Sequence, residues 1–150
     1  MVVTLQPYYY YYYRNMKNPD IDDLPYVNKI IGESIKEENN LIASYKKMVD
    51  SDPSEVNKKM YKSMINDANT HIRILKSIYG NLNGKAFGEE IEIDDISTNI
   101  KDIIYRNVML SKKYRKILYA MKSNVHRYMM FDLVIDTINN DALLNVLNNS

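Results

Sequence analysis

Hydrophobic residues recur along four stretches of the chain at steps of three and four positions. This spacing is typical of helices that bury one face and leave the other in water. The four stripes consist of Leu24, Val27, Ile31, Ile35, Glu38, Ile42, Tyr45 and Val49; Val56, Met60, Met64, Ala68, His71, Leu75 and Ile78; Ile96, Ile100, Ile103, Asn107, Leu110, Tyr114, Ile117 and Met121; and Val125, Met129, Leu133, Thr137, Asn140, Leu144 and Leu147. They predict four helices of roughly 25 residues, each about 37 Å long.

Turn-forming residues divide the four helices into two pairs. Between the first two helices, Asp52 is a good N-cap, Pro53 suits the first helical position and Glu55 completes a capping box. The second and third helices are separated by the stretch from Gly80 to Asp94, which is long enough at about 3.3 Å per residue to run the length of a bundle. The sequence therefore predicts an all-α four-helix bundle, built from two antiparallel hairpins joined by one long crossover.

The two predicted hairpins align without a gap when the sequence is shifted by 69 residues. Identical residues at matching helical positions include Ile31 and Ile100, Leu41 and Leu110, Tyr45 and Tyr114, Met60 and Met129, and Asp67 and Asp136. Such an internal repeat predicts a duplicated hairpin whose two copies are related by a pseudo-two-fold axis.

Polar residues interrupt the four apolar stripes at one equivalent level. They are Glu38, His71, Asn107, Thr137 and Asn140. Under the repeat, Glu38 corresponds to Asn107, His71 to Asn140, and Ala68 to Thr137. These positions predict a single polar layer across an apolar core, and burying such groups is costly unless they form hydrogen bonds or bind a ligand.

Composition excludes several classes of function. The 20 basic and 19 acidic residues nearly cancel, which gives no reason to expect nucleic acid or an anionic membrane as a partner. The chain has no cysteine, so thiolate chemistry and thiolate metal ligands are excluded. With neither an apolar run of membrane-spanning length nor a signal-peptide pattern, the expectation is a soluble cytoplasmic protein.

The N-terminal residues differ in character from the rest of the chain. Residues 1–21 show neither helical nor strand periodicity and contain six consecutive tyrosines, Tyr8 to Tyr13, between two prolines. Tyrosine combines apolar area with a polar hydroxyl and is enriched at protein contacts. We therefore divide the chain into a tyrosine-rich arm, residues 1–21, and a bundle, residues 22–150. The arm is a candidate contact between subunits of a homo-oligomer.

The bundle resembles ferritin-like, rubrerythrin-related proteins of a small bacterial type with a tyrosine-rich tail. The resemblance covers residues 22–148 and is carried by EENNLIASYKKMV, MINDANTHIRILKSIY, YRKIL and FDLVIDTINNDALLNVL. It implies that the first helix supplies a Glu seven residues before a Tyr. The second would supply Glu-x-x-His preceded by Asp, and the third and fourth would repeat this pattern. Four carboxylates and two histidines would then hold two irons.

Only two of the six ligands that the resemblance implies are present, Glu38 and His71. The other four ligand positions are occupied by Ala68, Asn107, Thr137 and Asn140. Amide and hydroxyl oxygens are weak neutral ligands, so no stable di-iron centre is expected. We expect instead that Glu38 and His71 are remnant ligands that form a buried acid–imidazole pair, with Asn107, Thr137 or Asn140 as hydrogen-bond partners.

Other polar residues near these positions are assigned structural roles. Asp67 and Asp136 match the family's outer acid, which is not a ligand, and are expected to be solvated or hydrogen-bonded. Tyr45 and Tyr114 are expected to pack in the core. Two further glutamates, Glu33 and Glu37, should face away from the helix seam, and His126 should lie on the surface.

The functional prediction is a non-catalytic ferritin-like protein with a structural or interaction role and no cofactor. The tyrosine-rich tail is similar to tails of proteins from spore-forming bacteria, which suggests a spore- or coat-associated setting. The alternative is a rubrerythrin-like oxidoreductase in which Glu38 and His71, together with water, bind one iron or another divalent metal ion. Metal content distinguishes the two.

Overall fold

The computed structural model of the chain describes residues 23–150, and these form four α-helices and no strand. The helices are α1 (Leu24–Ser51), α2 (Glu55–Asn83), α3 (Ile100–Ala120) and α4 (Asn124–Asn148). The prediction of an all-α four-helix bundle is confirmed. The predicted tyrosine-rich arm lies outside the described residues.

The helices pack as two pairs that share one core. α1 packs along α2 and α3 packs along α4, and further contacts join α1 to α3 and α2 to α4. The amides of Asn28 and Asn83 are within 2.8 Å of each other, so the start of α1 lies beside the end of α2. The largest fully buried side chains are Tyr45, Tyr114, Ile31, Ile35, Leu41, Met64, Leu75, Ile78, Ile103, Leu110 and Ile117.

The second helix starts later than the sequence predicted. Its N-cap is Ser54, whose hydroxyl accepts a hydrogen bond from the backbone N–H of Asn57 at 3.3 Å. The predicted N-cap, Asp52, instead ends α1, and its carboxylate accepts from Ser54 N at 2.9 Å and from Asn57 Nδ2 at 3.1 Å. Pro53 therefore lies in the turn and not in the first helical position, because Asp52 bonds across the turn and leaves the capping role to Ser54.

The long connection comprises residues 84–99 and runs along α1. Gly84 ends α2 in the left-handed conformation, with φ of 66°, as glycine commonly does at a helix C-terminus. Further on, Asn40 Oδ1 accepts from Asp94 N at 3.1 Å, and Ser44 Oγ accepts from Ser97 N at 3.0 Å. The connection thus meets successive turns of α1 in the direction in which α1 itself runs.

Two residues assigned to apolar stripes are exposed. Ile96, predicted to begin the third stripe, is 42% exposed and precedes α3, which starts at Ile100. The backbone before Asn99 is held extended by its bonds to α1, and the Asn99 side chain caps the new helix. Val56 is 61% exposed and occupies the first turn of α2, next to the tight turn that joins it to α1.

The helix ends at the two tight turns follow the 69-residue spacing. A shift of this size places Ser51 on Ala120, where α1 and α3 end, and Glu55 on Asn124, where α2 and α4 begin. It also places the N-cap Ser54 on Ser123, and both hydroxyls accept from the backbone N–H three residues on. The two tight turns therefore have the same local chemistry.

None of the four helices is long and apolar enough to cross a membrane.

Replacing Asn40 with Ala should loosen the crossover and lower the free energy of unfolding by about 1–3 kcal/mol. Asn40 is 2% exposed, and its loss leaves the N–H groups of Asp94 and Asp95 without their acceptor. Denaturant unfolding measures the cost, and amide hydrogen exchange at residues 94 and 95 should accelerate. Asn39→Ala is the control, because that amide bonds only within its own helix. Equal effects of the two substitutions would contradict this role for Asn40.

Candidate functional site

Glu38 and His71 form a buried pair, as the sequence predicted. His71 Nδ1 lies 2.8 Å from Glu38 Oε1, and the two residues are 1% and 3% exposed, respectively. Glu38 belongs to α1 and His71 to α2, and each lies on the face of its helix that turns to the core. The pair joins the two helices of the first hairpin at the predicted polar layer.

The second hairpin supplies a further partner to each member of the pair. The hydroxyl of Tyr114, on α3, donates to Glu38 Oε1 at 2.5 Å. Asp136 Oδ2, on α4, lies 3.0 Å from His71 Nε2. Tyr114, Glu38, His71 and Asp136 therefore form one hydrogen-bonded chain that includes a residue from each of the four helices; we name it the four-helix relay.

The expectation that Asn107, Thr137 or Asn140 would bond to the pair is wrong. Asn107 Nδ2 donates to the Thr137 carbonyl at 2.9 Å and to Asp141 Oδ1 at 2.7 Å. The Thr137 hydroxyl donates to its own helix, to the Val134 carbonyl at 2.8 Å. These short side chains find partners near their own backbone, whereas the longer tyrosine and a neighbouring carboxylate reach the pair.

At the equivalent place in the layer, an amide takes the position of the imidazole. The side chain of Asn140 lies beside the carboxyl group of Asp67 and favours its charged form, and these residues correspond to His71 and Asp136 exchanged between the two repeats. All of the predicted layer residues are buried: Ala68 is 2% exposed, Asn107 3%, Thr137 1% and Asn140 5%. The layer is thus filled by protein hydrogen bonds on both sides.

The carboxylates make the imidazole of His71 cationic. Burial lowers the pKa of His71, but Glu38 and Asp136 outweigh it and raise the pKa to about 9. Burial, reinforced by the Glu38 charge, raises the pKa of the Tyr114 hydroxyl well above its usual value, so it remains a donor. Burial and the nearby Asp136 charge also raise the pKa of Asp67. At neutral pH the relay therefore contains an imidazolium between two carboxylates.

The residues of the layer do not fit a di-iron centre. Within residues 23–150, no three His, Asp or Glu side chains are grouped so that they could hold a metal ion. Glu38 and Asp136 contact opposite nitrogens of the His71 ring, so their oxygens do not converge on one point. A metal ion bound at either nitrogen would have to displace the proton that His71 shares with a carboxylate.

The structure corrects the position of the other histidine. His126, which we expected on the surface, is 2% exposed. It lies three, four and seven residues before Met129, Met130 and Leu133, which are all buried, and this spacing places it on the core face of α4. Burial lowers the pKa of His126 to about 4, so this imidazole is neutral. The helical spacing in the sequence was sufficient to predict its burial.

A partly buried ion pair between α1 and α3 was missed by the sequence analysis. Arg106, only 8% exposed, donates from Nε to Glu37 Oε1 at 2.7 Å and from Nη2 to the Asp95 carbonyl at 2.8 Å. Glu37 and Arg106 occupy equivalent positions of the repeat, 69 residues apart. The opposite charges at these equivalent positions could have predicted the pair from the sequence. Glu33 pairs with Lys113 at 3.2 Å, so both glutamates point to the α1–α3 flank and away from His71.

Comparison of the chain with protein-family models, with curated proteins and with solved structures finds no match. The functional interpretation therefore depends on the geometry of the polar layer and on the surfaces of the helices.

Through the two histidines, the free energy of unfolding should depend on pH in opposite directions. The folded-state pKa of His71 is raised to about 9, above the unfolded value of about 6.5. Protonated His71 therefore contributes fully to the free energy of unfolding below pH 6.5, and this contribution is lost as the pH rises through 9. His126, with a folded-state pKa of about 4, contributes fully above 6.5, and this contribution is lost as pH falls through 4.

NMR titration of the imidazole protons should resolve these two values, and denaturant unfolding from pH 4 to 10 should follow both limbs. The control is His126→Asn, which copies Asn57 at the equivalent position of the first repeat. It should flatten the acidic limb and leave the basic limb intact. Two histidines that both titrate near 6.5 would contradict the burial and charge pairing described above.

Removing His71 should be strongly destabilising because it leaves Glu38 buried with its charge uncompensated. We expect His71→Ala to lower the free energy of unfolding by about 3–5 kcal/mol. The Glu38→Gln/His71→Ala double variant should lose less than the sum of the two single variants, since it removes both charges. Leu75→Ala, at a fully buried position of the same helix, controls for the cavity. A His71→Ala protein as stable as wild type would show that the relay does not stabilise the fold.

Proposed function

We propose that this chain is a non-catalytic, ferritin-like protein in which hydrogen bonds between side chains take the place of a di-iron centre. The observation that carries this proposal is the position of His71. Both of its ring nitrogens are engaged by carboxylates of the protein, Glu38 at 2.8 Å and Asp136 at 3.0 Å. The imidazolium supplies, inside the bundle, the positive charge that the resembled family obtains from bound metal.

The helix contacts support the ferritin-like part of the proposal. Each hairpin packs internally, and the hairpins meet through the α1–α3 and α2–α4 contacts. Residues 84–99 meet α1 near Gly32, at Asn40 and at Ser44 in that order, so the connection runs along α1 and parallel to it. A single long crossover between two helical hairpins is the arrangement of ferritin-like bundles. The coincident helix ends support a duplicated hairpin with pseudo-two-fold symmetry.

The same chemistry favours a structural or interaction role over catalysis. A catalytic acid or base must reach a substrate, but His71 and Glu38 are almost fully buried and both are hydrogen-bonded to protein side chains. The ring of Tyr114 also covers His71, against which it packs edge-on at a centroid distance of 5.9 Å. We place the protein in the cytoplasm or, by the similarity of its tyrosine-rich tail, in a spore or its coat.

The metal content of the protein tests the proposal. Wild-type protein purified without chelators and then given Fe(II) in air should bind far less than two irons per chain and show no oxo-bridged absorption band. The positive control restores the implied ligands by Ala68→Glu, Asn107→Glu, Thr137→Glu and Asn140→His. This variant should gain iron if the bundle is ferritin-like. Two irons per wild-type chain would overturn the proposal, and one tightly bound ion would support the oxidoreductase alternative instead.

A further inference from the structure

The outer face of α4 carries a continuous row of apolar side chains. Tyr128 is 65% exposed, Phe131 50%, Ile135 42% and Ile138 56%. The row continues through exposed Ala142 almost to the end of the helix. We name these five residues the α4 stripe. Contiguous exposed apolar surface of this kind is uncommon on soluble proteins and often marks a contact site.

The equivalent face of α2 provides an internal comparison. Shifted by 69 residues, the α4 stripe falls on Lys59, Lys62, Asn66, Asn69 and Arg73, which are all polar or charged and all exposed. The two helices share the same place in the repeat and bury equivalent core positions, so core packing does not require the apolar residues of α4. The apolar character of the α4 stripe is therefore not explained by packing within the described bundle.

The spacing of the α4 stripe specifies the shape of its partner. From Tyr128 to Ala142 the steps are three, four, three and four residues, which is the a and d pattern of a helix that packs against another helix. An extended segment would present side chains with a period of two and would not match this seam. The partner that fits the α4 stripe over its whole length is therefore a helix.

Charged residues beside the α4 stripe favour a second copy of the same helix. Arg127 and Asp132 are both exposed and lie one position before Tyr128 and one position after Phe131. These are the g and e positions of the heptad, which interact between parallel helices five residues apart. In a two-fold pairing of α4 with itself, Arg127 of each copy faces Asp132 of the other. Each arginine of the pair is then compensated by an aspartate of the other copy.

We propose that two copies of this chain associate through their α4 stripes, with the two α4 helices parallel about a two-fold axis. The interface is isologous, so each apolar residue of the stripe meets the same stripe on the other copy. The proposal is independent of the metal content of the bundle. It differs from association through the tyrosine-rich arm, because the α4 stripe is a helical surface within the described residues.

The decisive experiment measures the mass of the full-length protein by sedimentation equilibrium over a wide range of concentrations. Wild type should reach about twice the chain mass of 17.6 kDa. Ile135→Lys/Ile138→Lys should raise the dissociation constant about 100-fold, because it places charges in the apolar seam. The matched control is Asn66→Lys/Asn69→Lys, which adds the same charges at the equivalent positions of α2 and should leave the dissociation constant unchanged. Circular dichroism confirms that each variant is folded.

The charge pair tests the parallel register. Asp132→Arg places like charges opposite each other and should weaken association, and adding Arg127→Asp should restore it. A monomeric wild type at all concentrations would overturn the proposal, as would an Ile135→Lys/Ile138→Lys variant that dimerises like wild type. Loss of the dimer on deletion of residues 1–21 alone, with the lysine variant unaffected, would assign the interface to the arm. A folded charge-swap variant that fails to regain association would overturn the parallel pairing.

Discussion

The charged imidazole of His71, held between Glu38 and Asp136, sets the relative positions of the four helices. Together with Tyr114 these residues connect α1, α2, α3 and α4 through three consecutive hydrogen bonds at one level of the core. Apolar packing has little directional preference, so helices with apolar stripes alone can slide by a turn. A buried polar contact that must be satisfied penalises any such slip, and this is a well-attested use of polar groups inside helical assemblies.

The two hairpins place contacts at equivalent positions of the layer, but the chemistry of these contacts differs. The contact between His71 and Asp136 is charged, whereas the equivalent contact between Asn140 and Asp67 joins an amide to a carboxylate. The buried imidazolium therefore lies on one side of the layer, between two carboxylates. The surfaces of the two helices also differ, because α2 and α4 share their core positions but their equivalent outer faces are polar on α2 and apolar on α4.

The ion pair of Arg106 with Glu37 extends this division to the flank of the bundle. It lies where equivalent positions of α1 and α3 meet, so a repeat of identical residues there would place like charges together. Arg106 also donates to the Asp95 carbonyl, which fixes the end of the crossover against α3. Asn40 fixes the same segment to α1. Two buried polar residues therefore hold in place a connection that has no regular structure of its own.

The sequence by itself determined the four helices, the positions of the two tight turns and most of the core, because apolar spacing and capping chemistry act over a few neighbouring residues. It also predicted that Glu38 and His71 meet. It predicted wrongly the N-cap of α2 and the exposure of His126. Only the tertiary structure decided that Tyr114 and Asp136 complete the relay, since these contacts join residues 76 and 65 positions apart and depend on which helices are neighbours. The start of α3 at Ile100 was decided in the same way, because side chains of α1 compete for the backbone of the crossover and hold it extended.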